Sequence, residues 1–171
     1  MSAGQRQVVF IATPVRSDSV LGRRWNHARA VALVRLAAAE GLAGLSPLLT
    51  VACALEGFPE AAAGGDDSPA MDSSLSLLRA IKATGGRLWV LGLDDGTLSA
   101  GCAIELGRWR HWSSVEGCTK QQIPSVLYWR VMGNRMAMSG LAEVWDALSG
   151  PPDPARLSLA EGILSLHAPG S

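Results

Sequence analysis

Val8 to Ala12 is an unbroken apolar run rich in β-branched and aromatic residues, closed by Thr13 and Pro14. Such a run reads as a central strand buried on both faces. Arg23 to Glu40 has a different rhythm: it contains no Gly or Pro, sets Trp25, Ala28, Ala32 and Leu36 on one face, and stops at Gly41. That pattern predicts a helix closed by a left-handed glycine. A short strand follows over Ala43 to Ser46, ended by Pro47, and then a loop-like stretch from Thr50 to Ala70 with Gly64, Gly65, Asp66, Asp67 and Pro69 gathered near its end. Ser73 to Thr84 predicts a second helix stopped by Gly85 and Gly86, and Arg87 to Leu91 a third strand. A third helix is expected from near Ser99 through Glu105 to about Trp112, then a connection holding Gly117 and Cys118, then a strand over Ile123 to Tyr128.

Strands that alternate with helices pair in parallel through right-handed crossovers, so the expected fold is α/β, a parallel sheet with helices on both faces. Beyond Tyr128 the pattern weakens into two short amphipathic helices, Gly140 to Leu148 and Ala155 to Leu166, separated by Pro151, Pro152 and Pro154. The chain therefore divides into an α/β domain over 1–130 and a helical C-terminal extension over 131–171. The extension's apolar positions, among them Trp145, Leu157, Leu159, Ile163 and Leu164, are expected to cover the sheet edge or a partner subunit.

Composition narrows the function classes. The 171 residues suit one fold with a substantial core, and 48% hydrophobic against 18% charged residues argues against disorder over most of the chain. Fifteen basic residues balance fifteen acidic ones, so no bulk attraction exists for nucleic acid, which is not expected as a partner. Arg29, Arg35 and Glu40 interrupt the longest apolar candidate, and no membrane span is expected. Cys53, Cys102 and Cys118 form no Cys-x-x-Cys pair, which fits a reduced cytoplasm. His27, His111 and His167 have no metal-ligand spacing, so neither a metal nor another cofactor is expected.

Ligands of parallel sheets sit beyond the carboxyl ends of the strands, where two loops carry polar groups. The first, Thr13 to Asp18, sets a hydroxyl, the Arg16 guanidinium, Ser17 and a carboxylate directly after the first strand. Arg16 there is open to two readings, an anion ligand or a solvated loop residue, and Ser17 or Asp18 is equally able to cap a turn. No Gly-x-Gly follows the strand, so the loop is not a dinucleotide fingerprint. The second loop holds Asp94, Asp95 and Gly96 and leads into Ser99-Ala-Gly101-Cys-Ala-Ile-Glu105. With Ser99 as N-cap, Glu105 falls in the second turn and leans back over Gly101, where a glycine costs about 1 kcal/mol relative to Ala and suggests close approach of a backbone or ligand. A solvent-facing Glu on an amphipathic helix is the other reading. Asp94 and Asp95 are either turn residues or acids whose proximity raises a neighbouring pKa.

The Ser99-x-Gly101-x-x-x-Glu105 spacing, Thr13-Pro14-Val15-Arg16 after the first strand, Ser46-Pro47 after the second, and Ile123-Pro124-Ser125-Val126 together resemble the nucleoside 2-deoxyribosyltransferase-like superfamily over roughly residues 7–129. The pattern is most similar to its small bacterial and phage branches and its nucleoside 5'-monophosphate N-glycosidases. The resemblance implies a flavodoxin-like sheet, cleavage of the N-glycosidic bond of a nucleoside or nucleotide, no cofactor, and a homo-oligomer. It maps the nucleophile onto Glu105, phosphate contacts onto Thr13, Arg16 and Ser99, and a second carboxylate onto Asp72; from their place in the two loops, Ser17 and Gly101 are further candidate substrate contacts and Asp94 a candidate catalytic acid. The chain departs from the family at Gly85 and Gly86, where an Asp usually precedes the third strand, and in a longer stretch from Glu105 to Pro124 bearing Trp109, Arg110 and Trp112. Two other readings are a non-catalytic nucleotide-binding module and an N-glycosidase acting on NAD.

Overall fold

The computed structural model describes residues 6–52, 69–116 and 126–166. Four strands, β1 (Val8–Ala12), β2 (Ala43–Leu45), β3 (Arg87–Gly92) and β4 (Val126–Tyr128), form one parallel sheet in the order β2-β1-β3-β4. Val9 lies opposite Gly44 on one side and Arg87 on the other, and Val90 lies opposite Val126. Helix α1 (Val20–Ala39) takes the chain from β1 out to the β2 edge; α2 (Pro69–Ala83) precedes β3 on the far side of β1, and α3 (Ala100–Val115) leads on to β4. Because parallel crossovers are right-handed, this reversal of direction after β2 puts α1 on one face and α2 with α3 on the other.

Side chains alternate accordingly. Val9, Ile11, Trp89 and Leu91 enter the core on the α1 face, while Phe10, Ala12, Leu88 and Val90 enter the core under α2 and α3. All are buried, which is why the strands read as continuous apolar runs.

After β4 a 3-10 turn (Trp129–Met132) and three helices, α4 (Gly133–Met138), α5 (Ala142–Ala147) and α6 (Pro154–Leu166), fold back alongside α1. Trp129, Met132, Met136, Val144, Leu148, Leu157 and Leu164 share one core with α1 and the sheet. The C-terminal extension therefore packs alongside α1 on the same face of the sheet, with the Arg135 guanidinium 4.5 Å from the Trp89 ring of β3, and its apolar residues join the core that α1 shares with the strands. Leu159, expected among its packing positions, is exposed. Two indoles lock the extension reciprocally: Trp129 Nε1 donates to the Trp145 carbonyl at 3.2 Å and Trp145 Nε1 to the Trp129 carbonyl at 2.9 Å.

Packed against the sheet and flanked by the C-terminal helices, α1 buries even Arg29, at 5% exposure, while Arg23, Arg24 and His27 stay exposed on its outer side. The Arg29 guanidinium donates twice to the Leu148 carbonyl, at 3.1 and 2.7 Å, and once to Gly150 at 3.4 Å, with the Trp25 and Trp129 rings 5.7 and 5.3 Å away. Around it Arg24 pairs with Glu161, Arg135 forks onto Glu40, and Arg35 donates to the Leu164 carbonyl.

Several boundaries differ from the sequence reading. Helix α1 starts at Val20, three residues early, with Ser19 accepting from Gly22 N at 2.9 Å as its N-cap. Its end follows expectation: Gly41 at φ 76 closes it, with Leu42 N donating to Ala37 O at 2.8 Å. Helix α2 starts at Pro69, assigned above to the loop; proline suits a first helical turn, where its missing N–H would have no partner. Leu48–Ala52 is a π-helical turn, and the helix at Gly133–Met138 had no counterpart in the sequence reading. The expected loop at 53–68, the connection at Gly117 and Cys118, residues 123–125 of the fourth strand, Cys53 and His167 lie outside the described residues.

Arg29→Ala strips donors from the Leu148 and Gly150 carbonyls and opens space between two indoles, and should cost about 3 kcal/mol of stability. Arg29→Lys should recover less than half, because an ammonium cannot fork across two carbonyls while lying flat between aromatic faces. Chemical denaturation of the three proteins measures both; a variant as stable as wild type contradicts the clamp.

Candidate functional site

The strand order reverses between β1 and β3, so the loops leaving their carboxyl ends diverge to opposite faces and open a crevice there, the place where such sheets bind ligands. The first loop begins with Thr13, which is 6% exposed and whose hydroxyl has no hydrogen-bond partner. Ser46, directly after β2 on the same edge, is 1% exposed and equally unpartnered. A buried unpaired hydroxyl costs on the order of 1 to 3 kcal/mol and calls for an explanation.

Arg16 is exposed, and its carbonyl accepts from Asn26 Nδ2 at 3.3 Å. Ser17 is turned onto the start of α1 rather than into the crevice: a Cβ on Gly22 would overlap the Ser17 hydroxyl, and Arg23 donates to the Ser17 carbonyl at 2.9 Å. The α1 cap belongs to Ser19, not to Ser17 or Asp18.

The second loop is held at several points. Leu93 N donates to Thr97 O at 2.8 Å, and Asp95 accepts from the Thr97 hydroxyl at 2.7 Å and amide at 2.9 Å, bonds that hold its carboxyl below the usual range. From β4 the Tyr128 hydroxyl donates to the Gly96 carbonyl at 2.9 Å. Asp94 reaches Arg29 at 3.4 Å, on the α1 side of the sheet. The loop ends at Ser99, whose side chain accepts from Cys102 N at 3.3 Å and caps α3. A capping hydroxyl acts as acceptor there, and the Ser99 hydroxyl also engages the Cys102 thiol.

Glu105 lies in the second turn of α3 on the side facing α2, only 6% exposed, which rules out the solvent-facing reading. The Ser74 hydroxyl of α2, itself 4% exposed, donates to Glu105 Oε1 at 2.5 Å. Burial pushes the Glu105 carboxyl up to about 7, with the Ser74 bond pulling the other way. The cause is desolvation, not the neighbouring acids considered above: neither Asp94 nor Asp95 contributes.

Asp72 is not brought to Glu105. It is exposed in the first turn of α2, two residues and so about 200° round the helix from Ser74, where an acid complements the helix dipole. The space over Gly101 is bounded by Met71, whose Cε would stand 3.5 Å from an added Cβ. A methyl group fits there, so the glycine is not forced by backbone approach. The structure thus sets Thr13 and Ser99 at the ends of the two crevice-forming strands and places Glu105 one turn along the capped helix. Ser17, Asp72 and Asp94 are directed elsewhere.

Ser74 was missed by the sequence reading. Its signal was a serine in register with Leu78 and Ile81 on the buried stripe of α2, a polar residue needing a buried partner. Among the described residues no cluster of three or more His, Cys, Asp or Glu could hold a metal ion, and no helix is long and apolar enough to cross a membrane. Comparison with protein-family models, with curated proteins and with solved structures finds no match.

The raised pKa has a stability consequence. A carboxyl near 4.5 unfolded and about 7 folded binds more protons in the native state between those values, so its contribution is full below pH 4.5 and is lost as pH rises through 7. Glu105→Gln should therefore remove a pH dependence of roughly 3 kcal/mol and be more stable than wild type at pH 8. Thermal melts of both proteins from pH 4 to 8 measure the difference; parallel curves contradict the buried, elevated acid.

Proposed function

We propose that this chain cleaves the N-glycosidic bond of a nucleoside 5'-monophosphate or nucleoside, with Glu105 as the carboxylate that meets the anomeric carbon. The observation that carries the reading is Glu105 itself: a buried acid, unpaired with any cation among the described residues, titrating near neutrality on the helix whose N-terminus borders the crevice. Glycosidic cleavage builds oxocarbenium character at C1', which a carboxylate stabilises directly or captures as a glycosyl ester. In the captured form the Glu105 oxygen bonds to C1' as the C1'–N bond breaks, the base leaves with that electron pair and takes a proton from water, and a second water opens the ester. A second base in place of that water gives transfer. The resemblance to the deoxyribosyltransferase-like superfamily supports this assignment, and the β2-β1-β3-β4 order agrees with the flavodoxin-like sheet it implies.

The phosphate belongs at the crevice mouth. The N-terminus of a sixteen-residue helix, capped by Ser99, favours an anion, and the Thr13 hydroxyl, unpaired among the described residues, gains the partner it lacks, with Arg16 on the same loop.

A second reading is favoured by one specific observation: Asp94 is engaged by Arg29 and Asp72 faces solvent, so neither carboxylate considered as an assisting acid stands by to protonate a leaving base. A nucleotide-binding module without turnover would have that arrangement.

Incubation with nucleosides, their 5'-monophosphates and NAD, followed by chromatography of free base, separates these readings. Wild type should release base and Glu105→Gln should lose roughly 100-fold or more of the rate; binding of the monophosphate without base release from any substrate favours the module, and release from NAD alone moves the substrate class. Thr13→Val tests the phosphate site by opposite signs: removing an unpaired buried hydroxyl should stabilise the unliganded protein by about 1 kcal/mol, yet weaken the 5'-monophosphate about ten-fold and leave the free nucleoside unchanged. Calorimetric titration and melts of the same variant read both effects, and unchanged monophosphate affinity removes Thr13 from the site.

A further inference from the structure

We propose that Ser74 is a positioning residue that keeps Glu105 ionised and aims its free oxygen, so that the α2–α3 contact sets the pH range in which the site works. The proposal rests on the reading of Glu105 as the reacting carboxylate and deepens it.

The geometry is a closed pair. Ser74 and Glu105 are both buried, 4% and 6% exposed, and stand on adjacent helices, with the hydroxyl 2.5 Å from Oε1. Ser74 sits on the stripe that otherwise carries Leu78 and Ile81 into the core. An alanine would serve that packing as well and favours helix by several tenths of a kcal/mol. What serine adds is one proton, and it is donated to the carboxylate. With Oε1 engaged, the carboxylate plane is fixed and Oε2 is the oxygen left for an electrophilic carbon.

Among the described residues no charged group does this work instead. On α3 itself Cys102 faces Glu105, but burial pushes that thiol up to about 12 and it stays neutral, while Arg108, Arg110 and His111 are exposed. On α2 Met71 lies toward Gly101, Asp72 is exposed, Arg79 lies over the Trp112 ring, and Lys82 pairs with Glu116. The strands beneath contribute Phe10, Ala12, Leu88 and Val90, all apolar. Desolvation therefore drives Glu105 toward its neutral form, and the Ser74 proton is the opposing force.

A hydrogen bond to a charged acceptor is strong enough to move such a carboxyl by about one pH unit. The test is direct titration of the Glu105 carboxyl by carbon NMR in protein labelled at glutamate, its signal assigned by loss in Glu105→Gln. Ser74→Ala should raise the Glu105 titration by about one unit and shift the acid limb of the base-release profile upward with it. Ser74→Thr keeps the hydroxyl and should titrate with wild type; it also stands in if the alanine variant fails to fold, since a threonine variant titrating well above wild type counts against the proposal. Identical titration of Ser74→Ala and wild type, both folded, overturns it and leaves a merely structural hydrogen bond. The NMR shift needs no turnover, so a shifted titration in a protein that releases no base sustains the role of Ser74 while refuting the glycosidase reading.

Discussion

A guanidinium buried between two indoles holds this fold together. Arg29 loses most of its hydration on folding, and desolvation lowers its pKa, yet its acceptors are mainly neutral carbonyls rather than the partly exposed Asp94. The Leu148 carbonyl stands just past α5, where the last carbonyls of a helix have no intrahelical donor. One side chain thus satisfies its own donors and a helix end together, and it can do so only if α5 lies against α1. That contact buries the flank of α1 and ties the C-terminal helices into the core that α1 shares with the sheet.

The same guanidinium reaches across to the loop after β3. Asp94 is drawn to the α1 side by Arg29, while the next residues are folded onto Thr97 and pinned by Tyr128. A loop held this way delivers Ser99 at a fixed point, and α3 begins there. The crevice loops therefore answer to both faces of the sheet: the α1 face through Arg29 and Asp94, the opposite face through the helix that carries Glu105. The arrangement also explains why an acid so near Glu105 in sequence contributes nothing to its titration.

Local chemistry was legible in the sequence and non-local chemistry was not. Glycines at Gly41 and Gly85 close helices through left-handed turns that depend on neighbouring residues alone, and both stops were read correctly. Buried strands announced themselves as apolar runs, and the Ser99 cap by its place before a helical pattern. Gly22 and Gly133 lie inside helical segments where the sequence pattern named no element start, and there Gly22 makes room for Ser17 and Gly133 for the Trp145 ring. Only the tertiary fold says what occupies that room. The Glu105 spacing was visible, but its burial depends on α2, and so does Ser74, thirty-one residues away in sequence. Asp72, implied by the resemblance, faces solvent in the first turn of its own helix, and Asp94, offered by its closeness to Glu105 in sequence, is drawn away by Arg29 from across the fold.

The two buried ionisable groups make opposite use of the interior. Arg29 has a side chain that does not release its proton at accessible pH, and it is surrounded by carbonyl acceptors and aromatic faces, so its charge is constant and its role is mechanical. Glu105 has one donor and no cation among the described residues and is buried between α2 and α3, so its two protonation states lie close in energy near neutral pH. A purely structural role would be served as well by glutamine, which keeps an oxygen for Ser74 and avoids the cost of burying charge. Retaining an acid where an amide would be more stable is the arrangement expected of a group whose charge is used, and it sets Glu105 apart from every other carboxylate among the described residues.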